Sequence, residues 1–529
     1  MDRTSSVCVV RALVFAWLGT ACGPRDQAPS VPPPPASKVV KTVEETPVSA
    51  PVTEARVRAF CGDCHAYPPP DTFPRANWPF EVRRGFDFFR QSDKKLDAPP
   101  VEAVVAYYES KAPEAFPVLP VTESERGPVA FRRREVNGPR SPRPSAISNV
   151  GLLALSDPKR LDILACDMAR GDLLQRRAGQ TEGPMSLLAE GLVNPGHVEV
   201  ADLDGDGVRD LLVADLGAPM PTDDRNGRVL WLKGDADGKF ETIVLASGLG
   251  RVCDIQAADF DGDGDLDLVV AVFGWRLVGE VLYMENQGVR DGKPTFRRET
   301  LDARHGTIHV PVADINGDGR PDFVALITQE HETIVAFLNA GGGRFTPQTL
   351  YKAPHPAYGS SGIQLVDLDG DGDLDILLSN GDVYDSPLLK PYHGVAWLEN
   401  RGEGLLERHA IGPLYGAHRA LAGDLDGDGD LDIVATSFLG EPYYDAMRRG
   451  VRADAVVLFE QVAPGEFTRH VLERETCDYP SFALADIDGD GDLDIVAGRF
   501  RDFSFAGATF VDDPAKGTAP IVIWENLGR

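Results

Sequence analysis

The chain is short of positive charge. Its 82 Asp and Glu face only 53 Lys and Arg, a formal net charge of -29. A surface that acidic repels a phosphate backbone, which argues against a nucleic-acid partner. Long apolar runs are also missing. The run Ala12 to Ala21 falls well short of the roughly 20 residues a membrane-crossing helix needs, and nothing else comes closer. A disulfide framework is absent as well: of seven Cys, the three at Cys166, Cys253 and Cys477 are scattered singly. Small buried apolar residues are the expectation for that trio. What remains is a globular composition, 43% hydrophobic over 529 residues, enough for two or three packed units.

The amino-terminal end is organised differently from the rest. Residues 1–22 carry Arg3 and Arg11, then the short apolar run, then Cys22. That order reads as a signal peptide, hence an exported protein of the periplasm or cell surface. Leu18-Gly19-Thr20-Ala21-Cys22 resembles a bacterial lipoprotein cleavage site, although Leu18 stands one place too far from the cysteine. The resemblance implies a lipid anchor on Cys22, with ordinary cleavage near Ala21 as the alternative. Residues 23–55, with four consecutive prolines from Pro32 to Pro35, read as an extended tether.

Residues 56–116 form the next unit. Cys61-Gly62-Asp63-Cys64-His65 has the spacing of c-type haem attachment. Two thiols add across the two vinyl groups of one porphyrin, and the adjoining His reaches the iron. A thioredoxin-like pair should follow a strand, whereas Glu54 to Phe60 reads as a helix, and a zinc site lacks its second half. Two further helices are expected, Phe80 to Gln91 with Phe80, Phe86 and Phe89 apolar, and Val101 to Ser110 with Val101, Val104, Val105 and Tyr108 on one face. The unit resembles a very small class I cytochrome c, which implies one covalent haem. Residues 66–113 contain neither Met nor His, so the usual sixth ligand is missing. Lys94, Lys95, an open coordination position or a ligand from elsewhere in the chain remain as options.

From residue 131 onward an acidic loop recurs six times. It spans Asp202–Asp210, Asp259–Asp267, Asp314–Asp322, Asp367–Asp375, Asp424–Asp432 and Asp486–Asp494. The starts are spaced by 57, 55, 53, 57 and 62 residues, a propeller-blade period. The six loops hold 27 Asp, so six divalent cations would bring the net charge to about -17. Carboxylates at loop positions 1, 3, 5 and 9 suit a hard cation such as calcium, and Gly at position 6 permits the turn. Loop by loop the expected ligands are Asp202, Asp204, Asp206 and Asp210; Asp259, Asp261, Asp263 and Asp267; then Asp314, Asn316, Asp318 and Asp322. They continue as Asp367, Asp369, Asp371 and Asp375; Asp424, Asp426, Asp428 and Asp432; and Asp486, Asp488, Asp490 and Asp494. An EF-hand is excluded because position 12 of the second loop is Val270, inside a strand-like run.

These loops resemble the FG-GAP (VCBS) repeat, the calcium-loop blade of integrin α-subunit propellers. The resemblance implies a mainly β fold: a seven-bladed β-propeller over 131–529, preceded by the small all-α cytochrome c-like domain. A worn copy at Asn149 to Cys166, ahead of the six acidic loops, brings the number of blades to seven; in it Asp162 falls where Asp210 falls but most ligands are gone. The ring is expected to close by pairing Phe131 to Val136 with Ile521 to Asn526.

If each acidic loop joins the innermost strand to the next, the opposite face carries the long connections Asp215–Gly227, Asn380–Gly394, Thr436–Asp454 and Gly498–Ala519. Arg276, Tyr443, Tyr444, Arg448, Arg449, Arg499 and Arg501 would give that face basic and aromatic relief. His197, Asp254, His309, His418 and Arg419 fall just before their loops and are candidates for a site in the channel mouth, with simple channel lining as the alternative. Met168 is a candidate sixth haem ligand if the haem unit docks on that face; otherwise it packs. The function expected is electron transfer by an exported haem protein whose propeller binds a partner or substrate. The alternatives are an adhesion or ligand-binding propeller with haem as a sensor, and a haem c-dependent oxidoreductase. The redox partner, substrate or glycan is unknown.

Overall fold

The computed structural model describes residues 52–528 apart from 121–126, 441–449, 502–518 and seven single positions. Residues 1–51, which hold the expected signal peptide, Cys22 and most of the expected tether, lie outside the described residues, as do Tyr443, Tyr444, Arg448 and Arg449; the last tether residues, from Thr53, belong instead to the first helix and its cap.

Three helices build the small amino-terminal unit: α1 (Glu54–Cys61), α2 (Trp78–Gln91) and α3 (Val101–Lys111). Thr53 caps α1, its Oγ1 accepting the Arg56 N–H. The buried face of α2 is Trp78, Val82 and Phe86, a spacing of four. Phe80, expected on that face, is 65% exposed, because it lies half a turn from Trp78 and Val82. Trp78 stacks on Tyr108 of α3 with ring centroids 3.7 Å apart, and its indole N–H donates to the Pro70 and Phe73 carbonyls.

The remainder is a seven-bladed β-propeller. Seven antiparallel sheets follow one another, and the first strands of neighbouring blades pack together around the axis. Each acidic loop joins the first strand to the second, as in Pro195–Ala201 followed by Asp210–Asp215. The acidic loops therefore share one face. The seventh sheet is composite: Phe131–Val136 pairs antiparallel with Ile521–Asn526, from Phe131 opposite Asn526 to Val136 opposite Ile521. Closure removes an exposed edge, as the sequence suggested.

Loop position 9 acts as a brace. Asp210, Asp267, Asp322, Asp375, Asp432 and Asp494 are all buried. In each, one carboxylate oxygen accepts the N–H of loop position 2 and the other accepts an N–H from the third strand. Asp267 takes Phe260 N–H at 3.2 Å and Asn286 N–H at 2.7 Å, and Asp494 takes Ile487 and Asn526 N–H at 3.1 and 2.8 Å. The worn blade keeps this feature without an acidic loop. Asp162, fully buried, accepts Ser156 N–H and Ala178 N–H, both at 2.6 Å.

Asp162→Ala would take the acceptor from the part-buried Ser156 and Ala178 amides and from the buried Gln175 side chain, at a cost of about 2–4 kcal/mol. Urea unfolding should show the same loss in excess calcium and in excess chelator. A loss seen only with calcium present would refute the brace.

Candidate functional site

The helical unit rests on the propeller face opposite the acidic loops. Leu388 and Ala357 join its apolar core, and the Tyr392 hydroxyl donates to the Thr72 carbonyl at 3.3 Å. Arg276 stacks over Phe88 of α2 at 3.8 Å. The basic relief expected on this face is thus partly spent on holding the helical unit. Arg499 is buried and ion-paired with Asp478, so it presents no relief at all.

Between the two units lies a cavity of about 490 Å³, within the usual range of roughly 300–1,000 Å³ for cofactor sites. Cys61, Cys64 and His65 all line it, together with Phe73, Trp78, Phe86, Phe89 and Tyr108. The propeller contributes Arg276, Leu277, Gln329 and Glu330 to the wall. Cys61 and Cys64 are free thiols, and burial pushes the Cys61 thiol up to about 11. His65 Nδ1 lies 2.8 Å from the Ala66 carbonyl, which can only accept. Nδ1 therefore carries a proton, which in the neutral ring leaves the lone pair on Nε2, the tautomer an iron-binding imidazole needs. An apolar cavity of this size with two thiols and such an imidazole on its wall fits a covalently attached porphyrin.

The candidate sixth ligands fare differently. Lys94 lines the cavity but donates to Asp63 through both its carboxylate (2.8 Å) and its backbone carbonyl (2.9 Å). That carboxylate raises the Lys94 pKa and keeps it protonated. Lys95 is not among the lining residues. Met168 is buried with Ala146, Leu216, Phe438 and Phe500, none of which lines the cavity, so it packs elsewhere.

Asp223 was not legible as a site residue. One of its oxygens accepts the backbone N–H groups of Trp275, Arg276, Leu277 and Val278 at 2.8–3.2 Å. It fixes the turn that carries Arg276 and Leu277 to the cavity. The only sequence signal was its place in a long connection.

In the acidic loops the position 6 amide donates to the position 1 carboxylate in all six copies, for instance Gly207 to Asp202 at 3.0 Å and Gly491 to Asp486 at 3.0 Å. The glycines at positions 4 and 6, Gly262 and Gly264 in the second loop, need a positive φ (84° and 97°). Positions 1, 3 and 5 converge: the oxygens of Asp202, Asp204 and Asp206 lie within 4.8 Å of one another, as do those of Asp259, Asp261 and Asp263 and of Asp367, Asp369 and Asp371. Asp202 Oδ1 and Asp367 Oδ1 are buried with no hydrogen-bond partner. Crowded carboxylates with orphaned oxygens fit a hard cation. Position 9 has its two oxygens on backbone amides, and burial together with its acidic neighbours pushes Asp432 up to about 7 and Asp267 and Asp494 to about 6. In the second blade Lys233 ion-pairs with Asp204 and Asp206, placing a cationic side chain at that loop.

Three of the five candidate channel residues are in direct contact, and His418 and Arg419 lie within electrostatic reach of them. His197 Nδ1 lies 2.9 Å and His309 Nδ1 3.6 Å from the two oxygens of Asp254. Burial alone would raise the Asp254 pKa, but the two imidazoles outweigh it and hold the carboxyl well below its usual range. Asp254 also accepts Ile255 and Val310 N–H, at 2.8 and 2.9 Å. His418 instead donates Nδ1–H to the Pro480 carbonyl at 2.7 Å, and Arg419 donates to the Ile363 carbonyl at 3.2 Å.

A family profile described as FG-GAP-like repeat matches residues 202–270 and 314–378. Those segments take in the acidic loops of the second, third, fourth and fifth blades and part of their strands, and the chain carries FG-GAP-like repeats in a seven-bladed propeller. No curated protein matches the chain.

Burial pushes His418 down to about 4. The unfolded side chain takes its proton near pH 6.5, the folded one only near pH 4. Its contribution is therefore complete above pH 6.5 and lost as the pH falls toward 4. Denaturant unfolding should show His418→Gln losing less stability than the parent between pH 6.5 and 4.5, by about 2 kcal/mol. Parallel losses would exclude the effect.

Proposed function

We propose that this is an exported c-type haem protein for electron transfer, in which the propeller both closes the haem cavity and binds the partner or substrate. The observation that carries this is the convergence of Cys61, Cys64 and His65 on one apolar cavity between the helical unit and the propeller. Cys61 and Cys64 would hold the porphyrin through thioether bonds and His65 Nε2 would bind the iron. The bound group supplies one-electron chemistry. The chain's own part is to exclude water with Phe73, Phe86, Phe89 and Tyr108 and to hold the His65 tautomer through Ala66. It also brings Arg276 and Leu277 onto the cavity through Asp223. The propeller is of a ligand-binding type, and its calcium loops would act as braces away from the cavity.

A second reading is favoured by one specific observation: among the described residues no Met lines the cavity, and Lys94 is engaged by Asp63. An open coordination position would suit a sensor on a ligand-binding propeller, or an oxidoreductase.

Haem covalently retained after acid–acetone extraction, one per chain, is the result expected of the parent and not of Cys61→Ala/Cys64→Ala. Extractable or absent haem in the parent would overturn the assignment. Carbon monoxide then separates the two readings: no binding to the reduced protein supports six ligands and electron transfer, and rapid binding supports sensing or catalysis.

Calcium should raise the thermal midpoint, and chelation should lower it by several degrees. Calorimetric titration should find one site fewer in Asp259→Ala/Asp261→Ala than in the parent. Unchanged stoichiometry would remove the second acidic loop as a site.

A further inference from the structure

The fourth blade carries a side-chain group that neither the haem assignment nor the acidic loops employ. His305, Glu330 and His331 each bring one ligand atom within 4.8 Å of the others. His305 Nε2 lies 3.0 Å from Glu330 Oε2, and the two imidazole rings are 4.9 Å apart, tilted by 58°. His331 Nε2 is buried and has no hydrogen-bond partner. A buried ring nitrogen left without a partner costs about 1–3 kcal/mol, so its persistence calls for an explanation. An ion pair between His305 and Glu330 alone does not supply one.

The backbone holds these residues in a fixed frame. His305 lies in the turn that enters the first strand of the blade, Thr307–His309. Glu330 and His331 lie in the short connection between Asp322–Ile327 and Thr333–Asn339. Thr328 ties the two segments, its backbone N–H and its hydroxyl both donating to the Gly306 carbonyl at 2.8 Å. Gln329 and Glu332, on either side of the pair, have positive φ of 59° and 41° without being glycine. Such strain persists where the surroundings over-determine it, and it gathers at functional positions. The surroundings here are specific. The buried Glu332 carboxylate accepts Gly359 and Ser360 N–H, both at 3.1 Å. Gly279 of the third blade lies so close that a Cβ there would meet His305 Cα at 2.5 Å.

Two imidazoles and one carboxylate are not a calcium or magnesium donor set, which would be all oxygen. They suit a borderline divalent transition metal such as zinc, copper or nickel, with a position left for water or another ligand. We propose that His305, Glu330 and His331 form a mononuclear site for a divalent transition metal of the zinc class. The site is independent of the haem assignment, although Glu330 also lines the cavity, so a bound ion would add positive charge at that wall.

The test uses the full chain in millimolar calcium, which occupies the acidic loops, titrated with zinc against a chromophoric indicator. Metal content after dialysis is read by mass spectrometry. The parent should retain one zinc more than His305→Ala/His331→Ala, whatever Cys61 and Cys64 hold. Glu330→Gln should weaken that equivalent by about 10–100-fold, comparable to losing a supporting partner. His331→Gln, a milder change, guards against misfolding: it should lose the zinc while keeping the parent's thermal midpoint in zinc-free buffer. Copper(II) resonance spectra should show imidazole nitrogen couplings in the parent that vanish in the double variant. Equal zinc in parent and double variant, or copper spectra that do not differ, would overturn the site.

Discussion

A buried carboxylate at the mouth of each second strand holds this propeller together. It recurs seven times, as Asp162, Asp210, Asp267, Asp322, Asp375, Asp432 and Asp494, all buried. One oxygen reaches back to the turn after the first strand and, in the six loop-bearing blades, the other reaches across to the third. Three strands are thereby locked in register by a single side chain. The worn first blade has lost the acidic turn but kept the buried carboxylate, which accepts Ser156 N–H in the first strand and Ala178 N–H just past the third. Blade geometry and the acidic turn are therefore separable features, and only the former is common to the whole ring.

The same separation organises the two faces. Carboxylates gather at the ends of the first strands, where the turn amides alone cannot offset their charge. The opposite ends are free to vary, and there Arg276, Leu277, Gln329 and Glu330 form the wall of the cavity under the helices. The 490 Å³ cavity belongs to neither unit alone. Whatever occupies it senses the loops of the third and fourth blades directly.

Much of the architecture was legible because its signals are local. Loop spacing marked the blades, and the pairing of Phe131–Val136 with Ile521–Asn526 followed from an unpaired last strand. The helices were legible from periodicity, but the face of α2 was misjudged at Phe80, since three aromatics in one helix need not share a side. At position 9 the double bonding to backbone amides was illegible, because sequence reports residue type and spacing, not which lone pairs are already used. Arg499 looked like surface relief for a similar reason: its partner Asp478 is distant enough in sequence to give no pattern. Asp223 and the group around His331 were illegible because each depends on chain segments that meet only in the folded ring. The channel residues illustrate both sides, with Asp254 gathering His197 and His309 while His418 and Arg419 turn to backbone carbonyls.

Ring closure by the outer strand also fixes an order of events. Phe131 and Asn526 pair across nearly the whole length of the propeller. During synthesis the helical unit emerges before the propeller, and the strand just after it must wait, edge unpaired, until Ile521–Asn526 is made. Pairing at so long a sequence separation is intrinsically slow, and an unpaired edge is on display meanwhile. Four consecutive charged residues, Arg132, Arg133, Arg134 and Glu135, occupy the waiting strand. Their charge is a safeguard against that edge being captured by another nascent chain.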